Sequence, residues 1–265
     1  MYRGFKLPDL KFDNPNDLDQ LYSNGLELYR SDKVKIKKGL DKYVSPDGVL
    51  DGTLMQKDWF PDVKADVFIS HSHGDEKLAV ALAAWLRENF QITAFIDSCI
   101  WEFADNLLLL IDKKHCWQEK TKNYNYNLRN YSTSHVHMML ATALSKMIDK
   151  TECLFFLKTK KSTIEDGIKT KTLSPWIYSE IEISKIIQKK WPERYERATK
   201  MFAVGGKMRN LNEAIYITHD LDLSHLAEID AKSLNKWAEK KIFYPNLALD
   251  KLYDLIPIPE KSKIL

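Results

Sequence analysis

The clearest hydrophobic pattern lies in residues 65–101, where short apolar runs alternate with a longer amphipathic stretch. Residues 67–69 (Val-Phe-Ile) form an uninterrupted apolar triplet, which is typical of a buried parallel strand. A polar run follows, and Asp75 stands where it can cap a helix. Residues 78–90 carry apolar side chains at helical spacing, and residues 93–96 form a second β-rich run. The stretch therefore predicts a strand–helix–strand unit.

Two polar residues, Ser70 and Asp97, come directly after these two predicted strands. A right-handed crossover makes the strands parallel, so both residues are expected at the same edge of the sheet. Open α/β sheets bind their ligands at that edge. The sequence therefore places its best candidate for a functional site there.

The rest of the pattern completes an α/β fold with a mostly parallel five-stranded sheet and helices on both faces. A third buried strand is predicted at residues 153–157, a fourth at 214–218 and a short fifth at 226–229. Between the third and fourth strands, Ser174 is expected to cap a helix that has Pro175 at its first position.

Two regions depart from this regular alternation. Residues 1–61 are interpreted as an N-terminal helical extension with little core of its own, and residues 62–265 as the main domain. Within that domain, residues at about 98–133 are predicted to form a long insertion. It begins with a helical pattern and continues as a Lys-, Asn- and Tyr-rich stretch without apolar periodicity.

Composition narrows the class of protein. The chain has 265 residues, of which 44% are hydrophobic and 29% charged, and its net charge of +3 gives no case for nucleic-acid binding. Its three cysteines are widely spaced, which argues against a disulfide framework and favours a reducing compartment. No apolar run approaches membrane-spanning length and the start lacks an apolar signal core, so a cytoplasmic protein without a membrane partner is expected.

One carboxylate stands out by its neighbours. Trp176 and Glu180 are four residues apart on the helix after Ser174, so they share a face, and Ile183 and Ile187 continue that face. A glutamate between an indole and isoleucines suits the wall of a pocket. The alternative is a helix-start glutamate that complements the helix dipole.

Three motifs, in this order along the chain, resemble those of Toll/interleukin-1 receptor (TIR) domains. They are the opening strand with its loop, the second strand, and the Ser-x-Trp-x-x-x-Glu signature of the third helix. The matching residues are 66–72 with Asp75, 95–97, and Ser174, Trp176 and Glu180.

The resemblance covers roughly residues 66–241 and is greatest to the bacterial and plant TIR proteins that cleave NAD+. It implies a flavodoxin-like TIR fold with strand order 2-1-3-4-5, a catalytic glutamate matching Glu180, and NAD+ as a substrate rather than a cofactor. It also implies self-association through TIR domains. For bacterial members it implies anti-phage defence, with a nucleotide product that a separate effector detects. The sequence departs from the family pattern at two places. His71 stands where the family often has a bulky aromatic residue, and the insertion after Asp97 is long.

The chemistry of NAD+ cleavage suits a single carboxylate. Breaking the nicotinamide–ribose bond produces an oxocarbenium-like sugar, as in glycoside hydrolysis. Nicotinamide leaves as a neutral molecule, so Glu180 alone can suffice by stabilising positive charge or by holding the ribose hydroxyls. The product would be ADP-ribose, a cyclic isomer or an ADP-ribosyl conjugate. The other expected NAD+ contacts are Ser70, His71, Ser72, Asp97, Ser98, Trp101 and Trp176.

A function from another class stays open at this point. A non-catalytic TIR-type interaction or scaffold module would use the same fold, and Glu180 would then be an ordinary helix-start carboxylate. No metal site is expected, since the spacing of the histidines and cysteines matches no usual pair of zinc ligands.

Overall fold

The computed structural model describes most of the chain, and the fold is given for those residues. The described residues are 1–12, 15–33, 40–45, 49–60, 63–166, 169–192, 194 and 218–258. For residues 15–16, 28–33 and 99–102 the description covers the backbone and not the side chains. Within these ranges, no helix has the length and apolar character needed to cross a membrane.

Ten strands and eight α-helices are found in the described part of the chain. The strands are β1 (Arg3–Pro8), β2 (Val67–Ser70), β3 (Ala94–Ile96), β4 (Trp117–Gln118), β5 (Asn123–Tyr124), β6 (Cys153–Lys158), β7 (Ile164–Asp166), β8 (Lys169–Thr172), β9 (His219–Asp220) and β10 (Ala227–Glu228). The helices are α1 (Pro15–Lys33), α2 (Gly52–Trp59), α3 (Glu76–Phe90), α4 (Ser98–Ile111), α5 (Tyr126–Lys150), α6 (Pro175–Ile186), α7 (Ala231–Ala238) and α8 (Pro245–Leu255).

A five-stranded sheet with the order β10-β1-β6-β2-β3 lies at the centre, and all its neighbouring strands run parallel. The predicted β2–α3–β3 unit, the third strand at β6 and the short strand at β10 are confirmed. The α/β class is therefore confirmed, and a sheet of five parallel strands is consistent with a flavodoxin-like fold. Two further sheets, β4-β5 and β7-β8-β9, are small and antiparallel.

The prediction of a helical extension over residues 1–61 is wrong for its beginning. Arg3–Pro8 is a strand of the central sheet, between β6 and β10. In the strand order 2-1-3-4-5 that the resemblance implies, the position next to the third strand belongs to the fourth strand. Here β1 occupies that position, beside β6. The predicted fourth strand, residues 214–218, lies outside the described residues except for Thr218, which belongs to no strand.

The chain forms two compact units. The sheet unit consists of Met1–Gly25, Lys64–Ile96 and Ile148–Leu265, and the second unit consists of Leu26–Val63 and Asp97–Met147. In the second unit, the predicted insertion contains α4, a π-helical turn, the β4-β5 hairpin and the start of α5. The expected loop is therefore a hairpin followed by the first turns of α5.

Aromatic side chains fill one face of the central sheet. Phe5 and Phe155 are paired across β1 and β6, with ring centroids 5.7 Å apart. Tyr253 of α8 stacks on Phe5, and Trp237 of α7 stacks at 3.9 Å on Phe90 at the end of α3. Helices α3, α7 and α8 therefore cover this face.

Helix α6 approaches the sheet from its other side. Successive side chains of a strand point to opposite faces, so Ser70 points away from the face occupied by Ile69 and its neighbour Phe155. Glu180 of α6 is hydrogen-bonded to Ser70. Helices on both faces, as predicted, are therefore present in the sheet unit.

The position of β1 in the sheet can be tested by truncating Phe5, which has no exposed surface. The substitution Phe5→Ala should lower the free energy of unfolding by about 3–5 kcal/mol, because it leaves a cavity between two aromatic rings. Urea denaturation followed by circular dichroism measures this loss. The control is Phe243→Ala, which removes a ring that is 58% exposed and should cost less than about 0.5 kcal/mol. Equal small losses in the two variants would contradict the buried strand.

Candidate functional site

A buried hydrogen bond joins the end of β2 to helix α6. The Oγ atom of Ser70 donates to Oε2 of Glu180 over 2.6 Å, and neither residue has exposed surface. Ser70 is the last residue of β2, so the contact lies at the carboxyl edge of the parallel sheet. The sequence predicted that these two residues would meet there, and the structure brings them together.

The start of α6 has the predicted cap. Ser174 Oγ accepts a hydrogen bond from the amide of Ile177, and Pro175 occupies the first helical position. The amide of Ser174 in turn donates to Oγ1 of Thr172, at the end of β8. These contacts determine where the helix begins and therefore which of its side chains face the sheet.

The buried face of α6 differs from the predicted one. Glu180 is buried together with Ile177, Ile181 and Ser184, whereas Ile183 and Ile187 are only partly buried. The buried residues recur at spacings of three and four, which is one face of a helix. The most buried face of the helix therefore runs through Ile181 and Ser184 rather than through Ile183 and Ile187.

The loop after β2 is folded tightly on itself. His71 is fully buried, with Nδ1 2.6 Å from the carbonyl oxygen of Ser72. Ser72 Oγ donates to Oδ2 of Asp75 over 2.7 Å. Of these three predicted site residues, Ser70 contacts Glu180, and His71 and Ser72 follow it in the loop. Trp176 lies one helical turn before Glu180 and is partly buried.

Asp75 does not cap α3 with its side chain, which corrects the prediction. Its Oδ2 also accepts a hydrogen bond of 2.5 Å from Thr159 Oγ1, and Lys161 Nζ lies 3.5 Å from its Oδ1. Lys161 also donates to the carbonyl of Gly74. Asp75 therefore ties the loop after β2 to the loop after β6, across the same edge of the sheet.

A second polar contact on α6 was not foreseen from the sequence. Ser184 Oγ lies 2.7 Å from Nε2 of His225, in the segment between β9 and β10. Burial lowers the pKa of His225 to about 4, and the positive charge of Lys185 acts in the same direction. The sequence does show that Ser184 lies four residues after Glu180, on the same face of the helix. Nothing in the sequence identifies a partner 41 residues away.

Three predicted site residues belong to the second unit. Asp97 follows β3 directly, as predicted, and is fully buried, and Ser98 begins α4 and is also buried. Trp101 lies in α4, with its side chain outside the described part of the chain. Their part in a site with Ser70 and Glu180 stays a sequence-based prediction.

The surroundings of Glu180 are closed. Ser70, His71 and Glu180 have no exposed surface, so no solute reaches the carboxylate unless neighbouring groups move. A cavity of about 300 Å³ does occur in the sheet unit, but it lies between α1, α3 and α7. It is lined by Leu10, Lys11, Phe12, Asp17, Gln20, Leu21, Trp85, Glu88, Ala231, Leu234 and Asn235, none of them a predicted site residue.

Comparisons with known proteins identify no relative of the chain. No protein-family model, curated protein or solved structure matches the chain. Among the residues that the structure describes, no group of three or more His, Cys, Asp or Glu side chains is placed to hold a metal ion. Function is therefore inferred from residue chemistry and geometry.

The burial of His225 predicts a pH-dependent stability. The folded state keeps this imidazole neutral down to about pH 4, whereas the unfolded chain protonates it below its ordinary pKa of 6.5. The stabilisation is therefore complete above pH 6.5 and is lost as the pH falls toward 4. A shift of this size corresponds to at most about 3 kcal/mol.

The measurement compares the parent with His225→Gln by urea unfolding at about pH 7 and about pH 4. The variant has no ring to titrate and should lose less free energy of unfolding between the two pH values than the parent. Equal losses in both proteins would contradict a neutral, buried His225.

Proposed function

We propose that the chain is a TIR-type enzyme that cleaves NAD+ at its nicotinamide–ribose bond, with Glu180 as the catalytic carboxylate. The observation that carries the proposal is the buried hydrogen bond between Ser70 and Glu180. It places a carboxylate at the carboxyl edge of a parallel sheet, where α/β folds bind nucleotides.

The order of the strands also supports a TIR-like fold. The strand that carries Ser70, β2, lies between β3 and β6, which corresponds to the order 2-1-3 of the family. The helix that carries the Ser-x-Trp-x-x-x-Glu residues follows β6 after a short hairpin, and it begins at Ser174. The position of β1 next to β6 departs from the strand order that the resemblance implies.

The proposed reaction breaks the bond between C1′ of the ribose and the nicotinamide nitrogen. The bonding electron pair leaves with the nitrogen, so nicotinamide departs neutral and the sugar develops positive charge. Glu180 stabilises that charge or holds the ribose hydroxyls. Water then adds to C1′ and releases a proton, which gives ADP-ribose. Capture by an adenine nitrogen or by another acceptor gives a cyclic isomer or a conjugate.

Neighbouring residues have supporting roles in this proposal. Ser70 holds the carboxylate of Glu180 until the ribose replaces it as the hydrogen-bond donor. Trp176 is suited to stack on the nicotinamide ring, since an indole offers a large apolar face. His71 and Ser72 supply polar and backbone groups beside the ribose or phosphates. Asp97, Ser98 and Trp101 stay sequence-based predictions.

The biological setting is inferred from the resemblance alone. NAD+ is the substrate and no bound cofactor is required. Self-association through TIR domains would regulate the enzyme, and a separate effector would respond to the nucleotide product. We place this activity in bacterial anti-phage defence in the cytoplasm, by analogy with the family.

The closed surroundings of Glu180 favour a second candidate function. Because its carboxylate is fully buried, the same fold can serve as a non-catalytic TIR-type interaction module with Glu180 as a structural residue. The two functions differ in one measurable property, the release of nicotinamide from NAD+.

The deciding experiment is a nicotinamide-release assay on the full chain with NAD+, in the absence and presence of extract from phage-infected cells. The substitution Glu180→Gln should lower the rate at least about 100-fold, because the amide cannot stabilise the developing positive charge.

The matched control is Glu182→Gln, on the same helix, where the carboxylate is partly exposed and pairs with Lys185. It should keep the rate within about twofold of the parent. Equal rates in the parent and Glu180→Gln would remove Glu180 from catalysis. No release by the parent in either condition would favour the interaction module.

A further inference from the structure

We propose that Ser184 and His225 form an anchor that positions α6, so that Glu180 is held against Ser70. Both would be positioning residues for NAD+ cleavage, and the inference rests on the proposed function.

The anchor and the catalytic candidate lie on one face of one helix. Glu180 and Ser184 are four residues apart, and both are buried among the side chains that face inward. Glu180 is bonded to Ser70 on β2, and Ser184 contacts His225 between β9 and β10. Consecutive turns of α6 are thus attached to different parts of the sheet unit.

Polar contacts of this kind determine the rotation of the helix. The other buried side chains of the face, Ile177 and Ile181, are apolar, and apolar packing tolerates small rotations and shifts. A hydrogen bond requires a narrow range of distance and angle. Because α6 ends at Ile186, Ser184 provides the last buried polar contact of the helix. Its loss should let the C-terminal half of α6 turn, and Glu180 with it.

The available protons determine which residue of the anchor is the hydrogen-bond donor. Ser184 has one hydroxyl proton, and its Oγ is 2.7 Å from the carbonyl of Ile181, which can only accept. His225 Nε2 must then carry the proton and donate to Ser184 Oγ. This tautomer leaves Nδ1 as an acceptor, and that buried atom has no hydrogen-bond partner among the described residues. The opposite tautomer would bury an unpaired N–H, which is the costlier arrangement.

The anchor is not a hydrolytic nucleophile pair. Asp222 is the carboxylate of the same segment, but it accepts from the amide of Ser224 and lies 3.4 Å from Lys185 Nζ. Nothing described therefore orients His225 through Nδ1, as a Ser-His-Asp site requires. Ser184 is also buried. A positioning role fits these contacts better than a catalytic one.

Steady-state kinetics of nicotinamide release by the full chain test the anchor. The variants Ser184→Ala and His225→Leu should each lower kcat by roughly 10- to 100-fold, because a displaced catalytic group loses most of its effect. KM should stay within about twofold, since neither residue touches the substrate. The conservative variant His225→Gln, whose amide can still donate to Ser184, should retain kcat within about threefold of the parent.

A matched control comes from the same part of the fold. His219 stacks on Tyr178 of α6 at a centroid distance of 4.3 Å. The variant His219→Leu therefore removes a second imidazole that packs on the helix and should keep kcat within about threefold. Parental kcat in His225→Leu, or a loss in His225→Gln as large as that in His225→Leu, would overturn the anchor. Parental activity in Glu180→Gln would instead overturn the proposed function.

An unfolding experiment tests the anchor even in a protein that releases no nicotinamide. Urea midpoints are measured for Ser184→Ala, His225→Leu and the double variant. Residues that bond to each other give non-additive effects, so the double variant should unfold near the midpoint of the less stable single variant. Ser184→Ala combined with His219→Leu should be additive. Additive shifts for Ser184 and His225 would show that the pair is not coupled.

Discussion

The candidate site depends on one buried hydrogen bond, from Ser70 at the end of β2 to Glu180 on α6. A carboxyl group without contact to solvent requires hydrogen bonds, and the end of a central parallel strand supplies a hydroxyl at a well-defined place. The bond therefore explains why the helix lies where it does. It also gives the buried Glu180 carboxylate a hydrogen-bond donor in the absence of water.

Around this bond, the carboxyl edge of the sheet is held together by local polar contacts. Asp75 connects the loops after β2 and β6 through Ser72 and Thr159, and the cap at Ser174 defines the start of α6. These contacts rigidify the site but also close it. Cleavage of a dinucleotide would therefore require an opening step, and such steps limit the turnover of many enzymes.

Much of the sheet and part of the site follow from local patterns in the sequence. The strands β2, β3 and β6 are short apolar runs in the sequence, and a Ser-Pro pair predicts the start of α6. Strand β1 was missed because Arg3 and Lys6 interrupt its apolar pattern. In the fold, Arg3 is buried with its guanidinium over the rings of Phe5 and Tyr253, a contact that only tertiary structure supplies. The same limit applies to contacts between distant residues, since a single sequence does not reveal which serine an isolated histidine will meet.

We propose that Glu180 belongs to an NAD+ site, and a crystal structure of the full chain with a non-cleavable NAD+ analogue would show whether it does. We expect a carboxylate oxygen of Glu180 within about 3 Å of a hydroxyl of the nicotinamide ribose, in place of its bond to Ser70. An analogue bound elsewhere, with the bond between Ser70 and Glu180 intact, would contradict the claim.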